Sequence, residues 1–74
     1  MSKLRQLRDE AGLSRHKLAV ASGVSYYNIV YWEINDTNPK LEDGKKLASA
    51  LAGPLGRSWE TVLGEMAEDS EVAA

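Results

Sequence analysis

Three basic side chains, Arg15, His16 and Lys17, stand in a row directly after Ser14. Serine is favoured at the start of a helix, where its hydroxyl accepts a backbone N–H. A helix starting here places all three cations in its first turn, at the positive end of the helix dipole, where cations are unfavourable. Lys17 also sits where Glu or Gln would close a capping box. A local rule broken at one spot is the signature of a functional site, and a helix N-terminus reinforced by arginine suits a phosphate. Side chains that simply point into water account for the same charges equally well.

A second group is aromatic. Tyr26, Tyr27, Val30 and Tyr31 follow Ser25. Tyr27 and Tyr31 are one helical turn apart, as are Tyr26 and Val30. With Ile29 and Trp32 turned inward, three tyrosines and a valine share one solvent face, which calls for an explanation. They could meet thymine methyls and phosphates in a major groove. They could form the centre of a protein interface, or pack on the tail or the fifth helix. The residue types alone leave these uses open.

Other chemistry is poorly provided for. The chain of 74 residues has no cysteine and one histidine. That excludes disulfides, thiolate zinc sites and cysteine nucleophiles, and argues against a multi-histidine metal site or a Ser-His-Asp hydrolase. No nucleophile–base pair is visible, and a small helical domain has little room for a pocket. An enzyme, a metal site and a cofactor are not expected. No apolar run approaches a membrane span and no signal peptide opens the chain. Met1-Ser2-Lys3 reads as the start of a cytoplasmic protein.

The elements that must position these residues are helices. Leu4, Leu7 and Ala11 recur at helical spacing, and Gly12 ends that helix. Ser14 caps a second helix reaching Ser22, with Leu18, Ala19 and Ala21 inward, and Gly23 ends it. Val24 plugs the turn and Ser25 caps a third helix over Tyr26 to about Ile34, followed by Asn35 in a left-handed conformation. Asp36-Thr37-Asn38-Pro39 is a loop. Leu41 to Leu51 forms a fourth helix, with Leu41, Gly44, Ala48 and Leu51 on one stripe. The run Ala52-Gly53-Pro54-Leu55-Gly56 should stop it. Ser58 caps a fifth helix, Trp59 to about Met66, with Trp59, Val62, Leu63 and Met66 inward. The expected organisation is an all-α domain over residues 1–66 and an acidic, disordered tail over 67–74.

The second and third helices, joined across Gly23 and capped by serine, form a helix-turn-helix. Charge follows the same division. The formal net charge is −2, which taken whole argues against a nucleic-acid partner. Residues 1–40, however, carry six bases against four acids, and residues 41–74 carry three against seven. Without the last ten residues the charge is +2.

From Leu4 to Leu63 the chain resembles the lambda-repressor/Cro-like, or XRE-family, helix-turn-helix domains. The resemblance lies in Leu4-Arg5-x-Leu7-Arg8, Gly12-Leu13-Ser14, Leu18-Ala19, Gly23-Val24-Ser25, Ile29, Trp32-Glu33, Asn38-Pro39, Leu41-Glu42, Leu47-Ala48 and Ala50-Leu51. No single piece is specific; the ordered set is. It implies a compact five-helix repressor-type domain of prokaryotic or phage kind that binds double-stranded operator DNA, usually as a two-fold homodimer on a palindrome. It also implies a buried pair between Arg8 and Glu33. Departures are local. Arg15 stands where the family commonly has glutamine, and tyrosines replace its polar reading residues. Gly44 stands where a large aliphatic residue is usual, with Trp32 expected to fill the space.

The leading expectation is therefore a sequence-specific transcriptional regulator, a repressor, reading the major groove with its third helix. Ser14, Arg15, Lys17, Ser25, Asn38 and Lys40 would hold phosphates. Tyr26, Tyr27, Asn28, Val30 and Tyr31 would meet bases. The alternative is a protein-binding module of antirepressor or antitoxin type that uses the tyrosine face on a protein.

Overall fold

The computed structural model describes residues 3–73, with side chains over residues 3–67. Five helices follow in order: α1 (Lys3–Ala11), α2 (Arg15–Ser22), α3 (Tyr26–Asn35), α4 (Leu41–Leu55) and α5 (Trp59–Ala73). Among the described residues there is no strand. No helix there is long and apolar enough to cross a membrane.

The α1–α3 segment is punctuated by residues with a physical reason to be there. Gly12 takes φ 74°, and the bonds from Gly12 N to Asp9 O (3.0 Å) and from Leu13 N to Arg8 O (3.2 Å) close the end of α1. These left-handed turns satisfy carbonyls that a helix end leaves open. Ser14 caps α2, its Oγ accepting from Lys17 N at 3.0 Å. Gly23 ends α2 at φ 75°, donating to Ala19 O. Val24 is buried directly after it. Ser25 holds the cap position of α3 but makes no side-chain cap bond; its carbonyl instead accepts from Ile29 N.

Two helix ends differ from the sequence expectation. The left-handed residue after α3 is Asp36 (φ 57°), not Asn35. Asn35 is the last helical residue, and its Nδ2 donates to Tyr31 O at 2.9 Å. Aspartate, like asparagine, tolerates that conformation. The helix α4 does not stop at Leu51; it runs through Pro54 to Leu55. Proline here forgoes only one bond of the final turn. Gly56 at φ 69° then closes the end, with Gly56 N on Gly53 O and Arg57 N on Ala52 O. Leu55 packs against the core and favours the added turn.

Ser58 caps α5, accepting from Thr61 N at 3.2 Å. The backbone of α5 continues past Met66 to Ala73, through most of the stretch read as a disordered tail. The side chains of residues 68–74 lie outside the described residues.

The core joins all five elements. Leu4 and Leu7 of α1, Leu18 of α2, Ile29 of α3, Leu47, Ala48 and Leu51 of α4, and Val62 and Met66 of α5 are buried together. A buried aliphatic side chain contributes roughly 1.5–3 kcal/mol. α4 lies against α1, α2 and α5, and α2 against α3, so the helix-turn-helix is braced from behind by α4.

Three inward assignments fail. Ala21 is exposed. Leu41 is 65% exposed and Trp59 38%. The latter two instead flank an apolar groove with Pro39, Gly44, Leu63 and Met66. Trp32 does not fill the space over Gly44; a Cβ there would meet Leu63 Cδ1 at 3.2 Å.

Candidate nucleic-acid interface

Two neighbouring surfaces hold the candidate residues. The first is the N-terminal end of α2. Ser14 and Lys17 are exposed there, with the Ser14 hydroxyl engaged by the Lys17 N–H. Arg15, the first residue of α2, is only half-exposed. Its Nε donates to Glu33 Oε1 at 2.9 Å, so the side chain is tied to α3 at one edge.

The second surface is the outer face of α3. Tyr27 is 81% exposed and Tyr31 58%, while Tyr26 and Asn28 are also exposed. Val30 is half-buried, so the face is more polar than a row of tyrosines and a valine suggests. The two surfaces meet through rings. His16 and Tyr26 lie 6.2 Å apart between centroids, and Tyr26 and Tyr27 pack edge to face at 5.6 Å. Edge-to-face aromatic pairs are mutually attractive, so Tyr26 is held while Tyr27 and Tyr31 project.

Beyond Tyr31 the chain turns into the loop before α4. Asn28, Tyr31, Asn38 and Lys40, all singled out in the sequence, line one open hollow of about 630 Å³. Trp32, Thr37 and Asp43 complete its wall. Asp43 adds a negative charge next to Lys40, which the sequence reading did not consider. Ser25, in the turn between α2 and α3, is exposed as well.

Beneath both surfaces lies the ion cluster that fixes α3. Arg8 Nε and Nη2 donate to Glu33 Oε2 and Oε1 at 2.7 and 3.0 Å, a two-pronged contact. Arg8 Nη1 donates to Leu13 O at 2.9 Å, so the same arginine also ties down the turn leading into α2. The Glu33 side chain has no exposed surface. Burial alone would raise its carboxyl, but the hydrogen bonds and charges of Arg8 and Arg15 outweigh that and hold it below the ordinary carboxylate range. The Arg8 guanidinium is correspondingly raised, chiefly by its hydrogen bond to Glu33. No buried side-chain polar atom among the described residues lacks a partner.

Sequence reasoning missed two features. The Arg15–Glu33 contact spans 18 residues and two helices, with no local signal. Arg57 bridges Glu10 of α1 and Glu65 of α5 at 3.0 and 2.9 Å, fastening the α4–α5 turn to α1. Glu10 is lowered mainly by that hydrogen bond.

The arrangement sets the N-terminal end of α2, with Ser14, Arg15 and Lys17, beside a projecting aromatic and amide face on α3. Among the described residues no cluster of acidic or histidine side chains fits a metal ion. A family model described as "Helix-turn-helix" matches residues 4–57. No curated protein and no solved structure matches the chain.

Proposed function

The chain belongs to the Cro-type, XRE-family helix-turn-helix domains, and from that premise we infer that it regulates transcription by reading a specific DNA sequence with α3. Its family is one of DNA-binding regulators rather than enzymes, and no catalytic role is proposed. The observation that carries the reading is the projection of Tyr27 and Tyr31 from a helix whose opposite side is buried through Ile29 and locked through Glu33. A reading helix must be rigid and must present side chains that reach base edges. Tyr27, Asn28 and Tyr31 do so, with Tyr26 and Val30 at the margin. Asn28 can bond adenine through its amide, and the tyrosine rings can lie on thymine methyls. Ser14, Arg15, Lys17, Ser25, Asn38 and Lys40 hold the backbone on either side, which sets register without carrying sequence information. The output is repression by occupancy, in the cytoplasm where the DNA is.

Pairing on a palindrome is part of this reading. The apolar groove of Leu41, Trp59 and Leu63 opens beside Lys40, with Glu60 on its other wall. A second copy related by a two-fold axis would cover the exposed Leu41, and Lys40 and Glu60 at the groove carry opposite charges. On a palindromic operator, paired reading helices meet half-sites about one DNA turn apart.

The protein-binding alternative draws on one observation: the whole chain carries a net charge of −2. Selection from random double-stranded DNA decides between them. A recovered palindrome supports the regulator, and binding that weakens steeply with salt marks phosphate contact. No enrichment of any duplex leaves the tyrosine face to a protein partner.

A further inference from the structure

Arg15 and Arg8 share one carboxylate. Glu33 Oε1 accepts from Arg8 Nη2 at 3.0 Å and from Arg15 Nε at 2.9 Å, while Oε2 accepts from Arg8 Nε at 2.7 Å. The three side chains differ in exposure. Glu33 has none, Arg8 has 10%, and Arg15 keeps 31%. Arg15 is therefore the member of the cluster that reaches the surface. It meets Glu33 through its Nε–H, and among the described residues its guanidinium has no other bonded partner. A guanidinium carries five N–H donors in one rigid plane. Four of them, on the two terminal amino groups, remain for a ligand outside the fold.

We propose that Glu33 is a positioning residue for DNA binding: by holding Arg15 through its Nε, it aims the two amino groups at a backbone phosphate beside the start of α2. The proposal rests on the DNA-binding reading above. Its physical content is preorganisation. A long surface arginine loses rotamer freedom when it grips a phosphate, and a side chain already fixed loses less. Only an arginine can do this, because its fork serves two partners from two edges, whereas a lysine presents one point charge. Glu33 also sits on α3, so the phosphate grip and the reading helix are set relative to each other by a single carboxylate. Arg8 holds that carboxylate from the opposite side and keeps it in place.

Charge alone predicts the opposite sign. A carboxylate near the DNA repels phosphate, so removing its charge should tighten binding if only net charge mattered. Positioning predicts that removing it weakens binding.

The test is titration of the parent, Arg15→Ala, Arg15→Lys, Glu33→Gln and the double variant Arg15→Ala/Glu33→Gln. The probe is a duplex recovered by selection, at two salt concentrations, with circular dichroism recorded on each sample to verify folding. Arg15→Ala should bind about tenfold more weakly, with a salt slope smaller by about one. Arg15→Lys should fall within about twofold of Arg15→Ala although it keeps the charge. Folded Glu33→Gln should bind roughly fivefold or more weakly than the parent, and the double variant no more weakly than Arg15→Ala. If Glu33→Gln does not fold, Arg15→Lys decides. Arg15→Lys binding like the parent overturns the proposal, as does a folded Glu33→Gln that binds as tightly as the parent or more so. A parent that prefers no duplex overturns the DNA-binding reading and the proposal with it.

Discussion

Replacing Glu33 by alanine tests how α3 is held. The substitution leaves Arg8, 8% exposed, with Nε and Nη2 without their carboxylate partner. Removing one partner of a buried ion pair costs about 3–5 kcal/mol, because the remaining charge stays buried without compensation. Arg8 keeps its bond to Leu13 O and its approach to Asp9 at 3.4 Å, so the lower end applies, about 3 kcal/mol. Arg15 reaches water and adds little. A domain of this length has a total stability of roughly 4–11 kcal/mol, so the loss is a large part of it. In urea melts, with m about 1 kcal/mol/M, the midpoint should fall by about 3 M. The combined variant Arg8→Met/Glu33→Leu should be more stable than Glu33→Ala alone, because it removes the stranded charge as well as its partner. A loss below about 1 kcal/mol for Glu33→Ala, as an exposed bridge would give, refutes the reasoning.

Three further outcomes follow from the same geometry. Glu33 binds fewer protons in the folded chain than in the unfolded one, so its contribution to stability is complete above about pH 4.3 and is lost as pH falls through its lowered folded value; the stability gap between parent and Glu33→Gln should shrink on acidification in melts from pH 7 to pH 3, and a gap that widens contradicts this. Gly44→Ala should gain up to about 1 kcal/mol of helix propensity less the cost of shifting the Leu63 side chain, whose Cδ1 would sit 3.2 Å away beside the open groove; a lower melting temperature would mean that Leu63 cannot give way. Leu41→Glu should leave monomer stability within about 0.5 kcal/mol, since the side chain is exposed, while abolishing self-association in sedimentation runs; an unchanged oligomeric state takes the groove out of the assembly.

The sequence showed most where a single residue type has one physical use. Gly12 and Gly23 at positive φ and Ser14 as a hydroxyl cap set the bounds of α1 and α2, because each solves a local backbone problem. It showed less where two residues compete for one role. Asn35 and Asp36 both tolerate the left-handed turn, and only the register of Trp32 O, taken by Thr37 N, puts Asp36 there. Pro54 reads as a stop, yet the turn closed by Gly56 lets α4 continue. Leu41 and Trp59 fit the apolar period of their helices but lie at the ends, where the stripe runs off the core and onto the groove. The site was legible as a set of residue types: the tyrosines of α3 and the cations of α2 were visible in the chain. What could not be read was the tie between them. The Arg8–Glu33 pair came through family resemblance, and the third member, Arg15, has no sequence signal because its contact depends on the angle between α2 and α3.

The central claim is that α3 reads bases through Tyr27 and Tyr31. Both are exposed on the side of the helix away from buried Ile29, so Tyr27→Ala and Tyr31→Ala should leave the fold intact. The direct measurement is titration of the parent and the two variants on a selected operator and on a scrambled duplex of the same length, at two salt concentrations. Each variant should lose roughly 1–3 kcal/mol of preference for the operator, while affinity for the scrambled duplex and its salt dependence stay close to the parent's, because phosphates set that part. Variants that keep the parent's full preference for the operator would contradict the claim and leave the tyrosine face for a protein.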